Sequence, residues 1–93
     1  MKPENVNPSN FKVEYVLFDN EEFSIAYGKW EGKNNCIAMR WNGEGDDPGY
    51  PKLFSNPVWF LIDNDLKVPI IKSLIGIENA KNELILKALE KEI

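Results

Sequence analysis

Three stretches decide the fold: Phe11-Lys12-Val13-Glu14-Tyr15-Val16-Leu17-Phe18, Phe23-Ser24-Ile25-Ala26-Tyr27-Gly28-Lys29-Trp30 and Cys36-Ile37-Ala38-Met39-Arg40-Trp41. Side chains along a β-strand point to opposite faces with period two, so alternation of this kind reads as extended chain. Phe11, Val13, Tyr15 and Leu17 fall on one side of the first stretch, and Lys12, Glu14, Val16 and Phe18 on the other. In the second, Phe23, Ile25 and Tyr27 alternate with the small residues Ser24, Ala26 and Gly28; in the third, Ile37, Met39 and Trp41 oppose Cys36, Ala38 and Arg40. Asp19-Asn20-Glu21-Glu22 and Glu31-Gly32-Lys33-Asn34-Asn35 supply turn residues between them. The three stretches therefore predict an antiparallel three-strand meander.

Periodicity stops after Trp41. Asn42 to Pro51 carries three Gly, two Pro and three acidic residues, and Lys52 to Pro57 shows no pattern, so a loop of about 15 residues is expected. Val58-Trp59-Phe60-Leu61-Ile62 is apolar on both faces, which predicts a strand inside the sheet, covered on both sides. Beyond it, Asp63-Asn64-Asp65 offers cap residues, Pro69 suits a first helical turn and Gly76 a helix end, giving a short helix over 69–75. A second helix is expected over 79–92, with Glu83 and Lys87 spaced four apart in the favourable order. Strands followed by helices point to an α+β layer: a mainly antiparallel sheet of about four strands, three in the meander plus one inner strand, with two C-terminal helices packed on one face. Residues 1–10, with Pro3, Pro8 and three Asn, read as a mobile or loosely docked tail, and 11–93 as one domain.

Length and charge bound what such a domain can do. At 93 residues the chain has room for one core and buries only about 60–65% of its unfolded surface. Fifteen Asp and Glu against 11 Lys and Arg give a formal charge of −4, which opposes contact with phosphate backbones and anionic lipid. General nucleic-acid binding is not expected, and 11 basic residues dilute the acids too far for a DNA mimic. Cys36 has no intrachain partner, the N-terminal segment has no signal-like apolar core, and the longest apolar run, Val58 to Ile62, is far short of a membrane span. A cytoplasmic location is expected.

Catalytic templates fail on composition. With no His the chain lacks the usual general base near neutral pH and the commonest transition-metal ligand. Cys36 stands in a strand pattern among apolar residues and reads as a buried, inert thiol. None of Ser9, Ser24, Ser55 and Ser73 lies in a Gly-x-Ser-x-Gly turn. Asn42, Glu44, Asp46 and Asp47 resemble an oxygen-rich calcium loop only faintly, since Asp47 and Leu53 stand where Gly and Glu are required. Asp63 and Asp65 read as caps, and Gly43, Gly45 and Gly49 do not have the spacing of a phosphate loop. No cofactor is expected.

The densest local feature is Arg40-Trp41-Asn42-Gly43, Gly49-Tyr50-Pro51 and Asn56-Pro57-Val58-Trp59, which gathers two of three Trp, one Tyr and the only Arg around the long loop. Trp and Tyr supply rigid apolar area with a polar tip, a guanidinium supplies a planar fork, and Asn both donates and accepts. Arg40, Trp41, Asn42, Tyr50, Asn56 and Trp59 are the candidate recognition residues. The competing reading makes Trp41 and Trp59 core, the Asn residues turn formers, and Arg40 a clamp on loop carbonyls. With Ile37-Ala38-Met39 before it and Phe60 after it, this cluster resembles a set of small uncharacterised bacterial proteins, over roughly residues 23–75. The resemblance implies no activity, substrate or site.

Two of these features concern partners. Trp, Tyr and Arg are the residue types most enriched at interface hot spots, so the expected function is binding or regulation through a protein partner at the 40–59 region. A nucleotide-like ligand, its anionic group on Arg40 and its ring on an aromatic, is the alternative; single-stranded nucleic acid stacked on aromatics is a third. On the last helix, Ala80, Leu84, Ile85, Leu86, Ala88, Leu89 and Ile93 spread over more than half the circumference, which fits either burial across the sheet or the seam of a homodimer.

Overall fold

The computed structural model describes residues 1–93. The meander forms as β1 (Phe11–Asp19), β2 (Phe23–Trp30) and β3 (Asn34–Trp41), joined by tight turns. Glu31 and Gly32 both take left-handed conformations in the second turn, fixing a register in which Phe23 faces Trp41, Ile25 faces Met39 and Tyr27 faces Ile37. The long loop carries a small two-stranded hairpin, β4 (Lys52–Leu53) with β5 (Asn56–Pro57), and returns as β6 (Phe60–Leu61). The chain closes with α1 (Lys67–Ser73) and α2 (Asn82–Lys91), so the fold is α+β with a four-strand antiparallel sheet in the order β1-β2-β3-β6.

Two expectations are corrected in the sheet. The apolar run at 58–62 does not make a strand inside the sheet: only Phe60 and Leu61 pair, and they form its edge beside β3. Trp59 is buried under one face while Phe60 is exposed on the other, so the run straddles the edge, which explains its apolar residues in both phases. The alternation in β1 is broken by register shifts between Val13 and Tyr15 and between Val16 and Phe18. Phe11 and Val13 consequently pack on one face and Tyr15, Leu17 and Phe18 on the other.

Each face of the sheet carries its own apolar layer. On one, Leu17, Ile25, Tyr27 and Ile37 meet Ile71 and Leu74 from the α1 region and Ile85 and Ala88 from α2. On the other, Ala26, Cys36 and Ala38 meet Val6, Phe11 and Trp59. The small residues of β2 make room here: a Cβ on Gly28 would lie 2.8 Å from Phe11 Cζ and collide with the Lys12 carbonyl. The N-terminal segment, expected as a mobile or loosely docked tail, packs through a short Pro3–Asn5 turn, with Val6 1% exposed and its carbonyl accepting a 2.7 Å hydrogen bond from Trp59 Nε1.

Helix α2 spends most of its apolar arc on the sheet, burying Ile85 and Ala88 and half-burying Leu84 and Leu89, while Leu86 and Ile93 stay exposed. Its end is tied down by a polar strut. Tyr27 donates to Glu92 at 2.5 Å, Lys67 pairs with Glu92 at 2.9 Å, and Asn35 Nδ2 donates to the Tyr27 hydroxyl at 2.9 Å. Burial and the Glu92 carboxylate push the Tyr27 phenol well above its usual range. No helix is long and apolar enough to cross a membrane.

Candidate functional site

Successive residues at the end of β3 face opposite ways, and this divides the aromatic cluster in two. Arg40 points to the face lined by Ser24 and is 1% exposed. Its guanidinium meets no carboxylate; it donates instead to the carbonyls of Pro48, Pro51 and Val58, which the loop brings around it. A planar donor fork suits carbonyls arriving from several directions. Desolvation holds the Arg40 pKa below its usual value, and its Nε has no partner. Gly49 is required beside it: the residue has φ +73°, and a Cβ would collide with the Trp41 carbonyl and lie 2.7 Å from Arg40 Nη2.

Asn42 belongs to the same locked side. Buried at 2% exposure, it accepts from Ser24 Oγ at 2.8 Å and donates to the Glu21 carbonyl at 3.0 Å and to Asp19 Oδ1 at 3.2 Å. Trp59, 7% exposed, lies tilted against Phe11 with ring centroids 5.7 Å apart. Arg40, Asn42 and Trp59 thus hold the loop and the N-terminal segment, and offer no free polar edge to a ligand.

Trp41 faces the other way. In an antiparallel pair, residues directly opposite share a face, and the register lays two rows across the strands. The first runs Phe23, Trp41, Tyr50: Phe23 pairs with Trp41 in β2–β3, and the Trp41 and Tyr50 backbones exchange hydrogen bonds of 2.7 and 3.0 Å. The second runs Ile25, Met39, Phe60. The helices bury Ile25 and leave the far end open, with Trp41 54%, Tyr50 65% and Phe60 61% exposed. Together with Phe23, Met39, Pro51, Ile62 and the buried Arg40 they line a largely apolar groove of about 210 Å³. The Phe23 and Trp41 rings meet edge-on at 4.7 Å, which fixes the indole as one wall.

Behind that wall lies a second depression of about 580 Å³, lined by Asn20, Glu21, Glu22, Gly43, Glu44, Gly45 and the indole itself. The turn that carries Glu21 and Glu22 is held by the side chains of Asp19 and Asn20, which accept from the backbone amides of Glu21, Glu22 and Phe23. Glu21, Glu22 and Glu44 form no ion pair, and no Lys or Arg lines the depression. The chain holds no group of three or more His, Cys, Asp or Glu placed to bind a metal ion.

Of the six candidate residues, the structure brings Trp41 and Tyr50 together on an exposed face, buries Arg40, Asn42 and Trp59, and leaves Asn56 exposed on the β4–β5 hairpin outside the groove. Phe23, Met39 and Phe60 complete the groove and were not among the candidates. A turn centred on Gly32 already places Phe23 opposite Trp41; Phe60 arrives only through the return of the long loop, which has no pattern in the sequence. Comparisons of the chain with protein-family models, with curated proteins and with solved structures find no match.

Proposed function

We propose that this domain is a non-enzymatic binding or regulatory module of the cytoplasm that captures a protein partner in the groove walled by Trp41, Tyr50 and Phe60. The observation that carries the reading is the exposure of these three rings, each more than half accessible, on a backbone held by strand pairing and by the Arg40 clamp. Adjacent exposed aromatics on a rigid frame lose little conformational entropy when covered and bury much apolar area, as binding hot spots do. A nucleotide-like ligand is the second reading, but the cation it relied on, Arg40, is buried and bound to carbonyls. Single-stranded nucleic acid would meet the carboxylates of Glu21, Glu22 and Glu44 beside the rings.

The test compares immobilised wild-type protein with a Trp41→Ser/Tyr50→Ser variant whose amide NMR spectrum shows the sheet intact. Proteins retained from lysate of the source cell by the wild type should be lost from the variant. An unchanged set of retained proteins overturns the reading.

A further inference from the structure

Resting on that reading, we infer that the partner presents a basic, apolar segment: an aliphatic or aromatic side chain seated in the groove, and a neighbouring Lys or Arg reaching over the Trp41 indole into the carboxylate-lined depression behind it. One residue, Trp41, walls both depressions, so a single short segment spans them. The two sites differ sharply in chemistry. The groove is lined almost wholly by apolar side chains, whereas the depression gathers Glu21, Glu22 and Glu44 with no basic residue and no ion pair among them.

A cation entering there gains on two counts. It finds unpaired carboxylates, and it passes an indole, the ring type that attracts cations best. The charge of the chain, −4, adds a long-range bias in the same direction and opposes a second copy of this chain as the occupant. Apolar burial then supplies the affinity, and the acidic flank selects which apolar segment is accepted.

The probe is a phage-displayed library of short random peptides, panned in parallel on the wild-type domain and on Trp41→Ser. Enriched peptides should carry Lys or Arg within a few residues of a Leu, Met, Ile or aromatic side chain. A peptide synthesised from that set should bind at least tenfold more weakly to Glu22→Lys/Glu44→Lys, and its binding to the wild type should weaken when salt is raised from about 0.05 to 0.5 M, where screening shortens to a few ångströms. Enrichment of neutral or acidic peptides that still need Trp41, or indifference to the charge reversal, overturns the basic-segment inference while leaving the groove reading intact. Enrichment that ignores Trp41 overturns both.

Discussion

Arg40 and Trp41 are neighbours in sequence with opposite fates. Arg40 is 1% exposed and Trp41 54%, although both belong to one strand and both looked like recognition residues. The difference is the face. On the Arg40 side, Pro48, Pro51 and Val58 carbonyls, Ser24, Asn42 and Trp59 close into a hydrogen-bonded scaffold. On the Trp41 side the helices stop short, and nothing covers the end of the sheet. Period-two alternation has divided a single sequence cluster into a part that builds the loop and a part that displays it.

The contrast breaks most easily at Arg40. Arg40→Met removes the guanidinium from three loop carbonyls, of which that of Pro51 keeps a second donor in the Val58 amide; hydrogen bonds to a charged group are worth roughly 1.5–3 kcal/mol each, so a loss of about 3 kcal/mol or more is expected by urea denaturation. Loop and groove should suffer together, because the Arg40 contacts position Tyr50 through Pro51. Trp59→Phe keeps the ring but removes the donor to the Val6 carbonyl. Its cost should be about 1–2 kcal/mol, with residues 1–8 becoming susceptible to limited proteolysis while the groove survives.

High pH tests the buried part, with the exposed Lys91–Glu14 pair adding to the same decline because Glu14 raises the Lys91 ammonium. Burial raises the thiol of Cys36, and burial with Glu92 raises the phenol of Tyr27. Both groups therefore hold their protons in the folded state after the unfolded chain has released them, at about pH 8.5 for Cys and 10 for Tyr. Stability is complete below those values and falls as pH rises through them, by up to about 1.4 kcal/mol per pH unit for each group. Thermal unfolding followed between about pH 7 and 11 should show this decline, and Cys36→Ala should remove its first part. The smallest effect on stability is expected at Trp41→Ser. The residue is half-exposed with one ring contact, so the cost is about 1 kcal/mol or less while binding is lost. A large destabilisation there would show that the exposed row is structural after all.

How far the sequence could be read follows from the range of each interaction. Alternation revealed β2 and β3, Pro69 and Gly76 bracketed the first helix, and the Glu83–Lys87 spacing fell in the second, each to within a few residues, since those signals are local, although Asp63 caps the short turn before α1 and not α1 itself. The bulges of β1 were hidden because an extra residue leaves no compositional mark when flanked by Val16, Leu17 and Phe18. Val58 to Ile62 misled because an edge segment with Trp59 tucked under one face and Phe60 over the other is as apolar as a central strand. Residues 1–10 were polar in bulk, yet one Val6 and the carbonyl it offers to Trp59 decide their docking. Within the site, the clamp by Arg40 was one of two open alternatives, and only the path of the loop could choose between them.

The three tryptophans give the molecule a built-in optical record of this division. Trp59 is 7% exposed, Trp30 39% and Trp41 54%, so their emission should spread from blue to red in that order. A soluble quencher would extinguish Trp41 and Trp30 while sparing Trp59. Occupation of the groove and undocking of the N-terminal segment would then register as separate changes in one fluorescence spectrum, without any label.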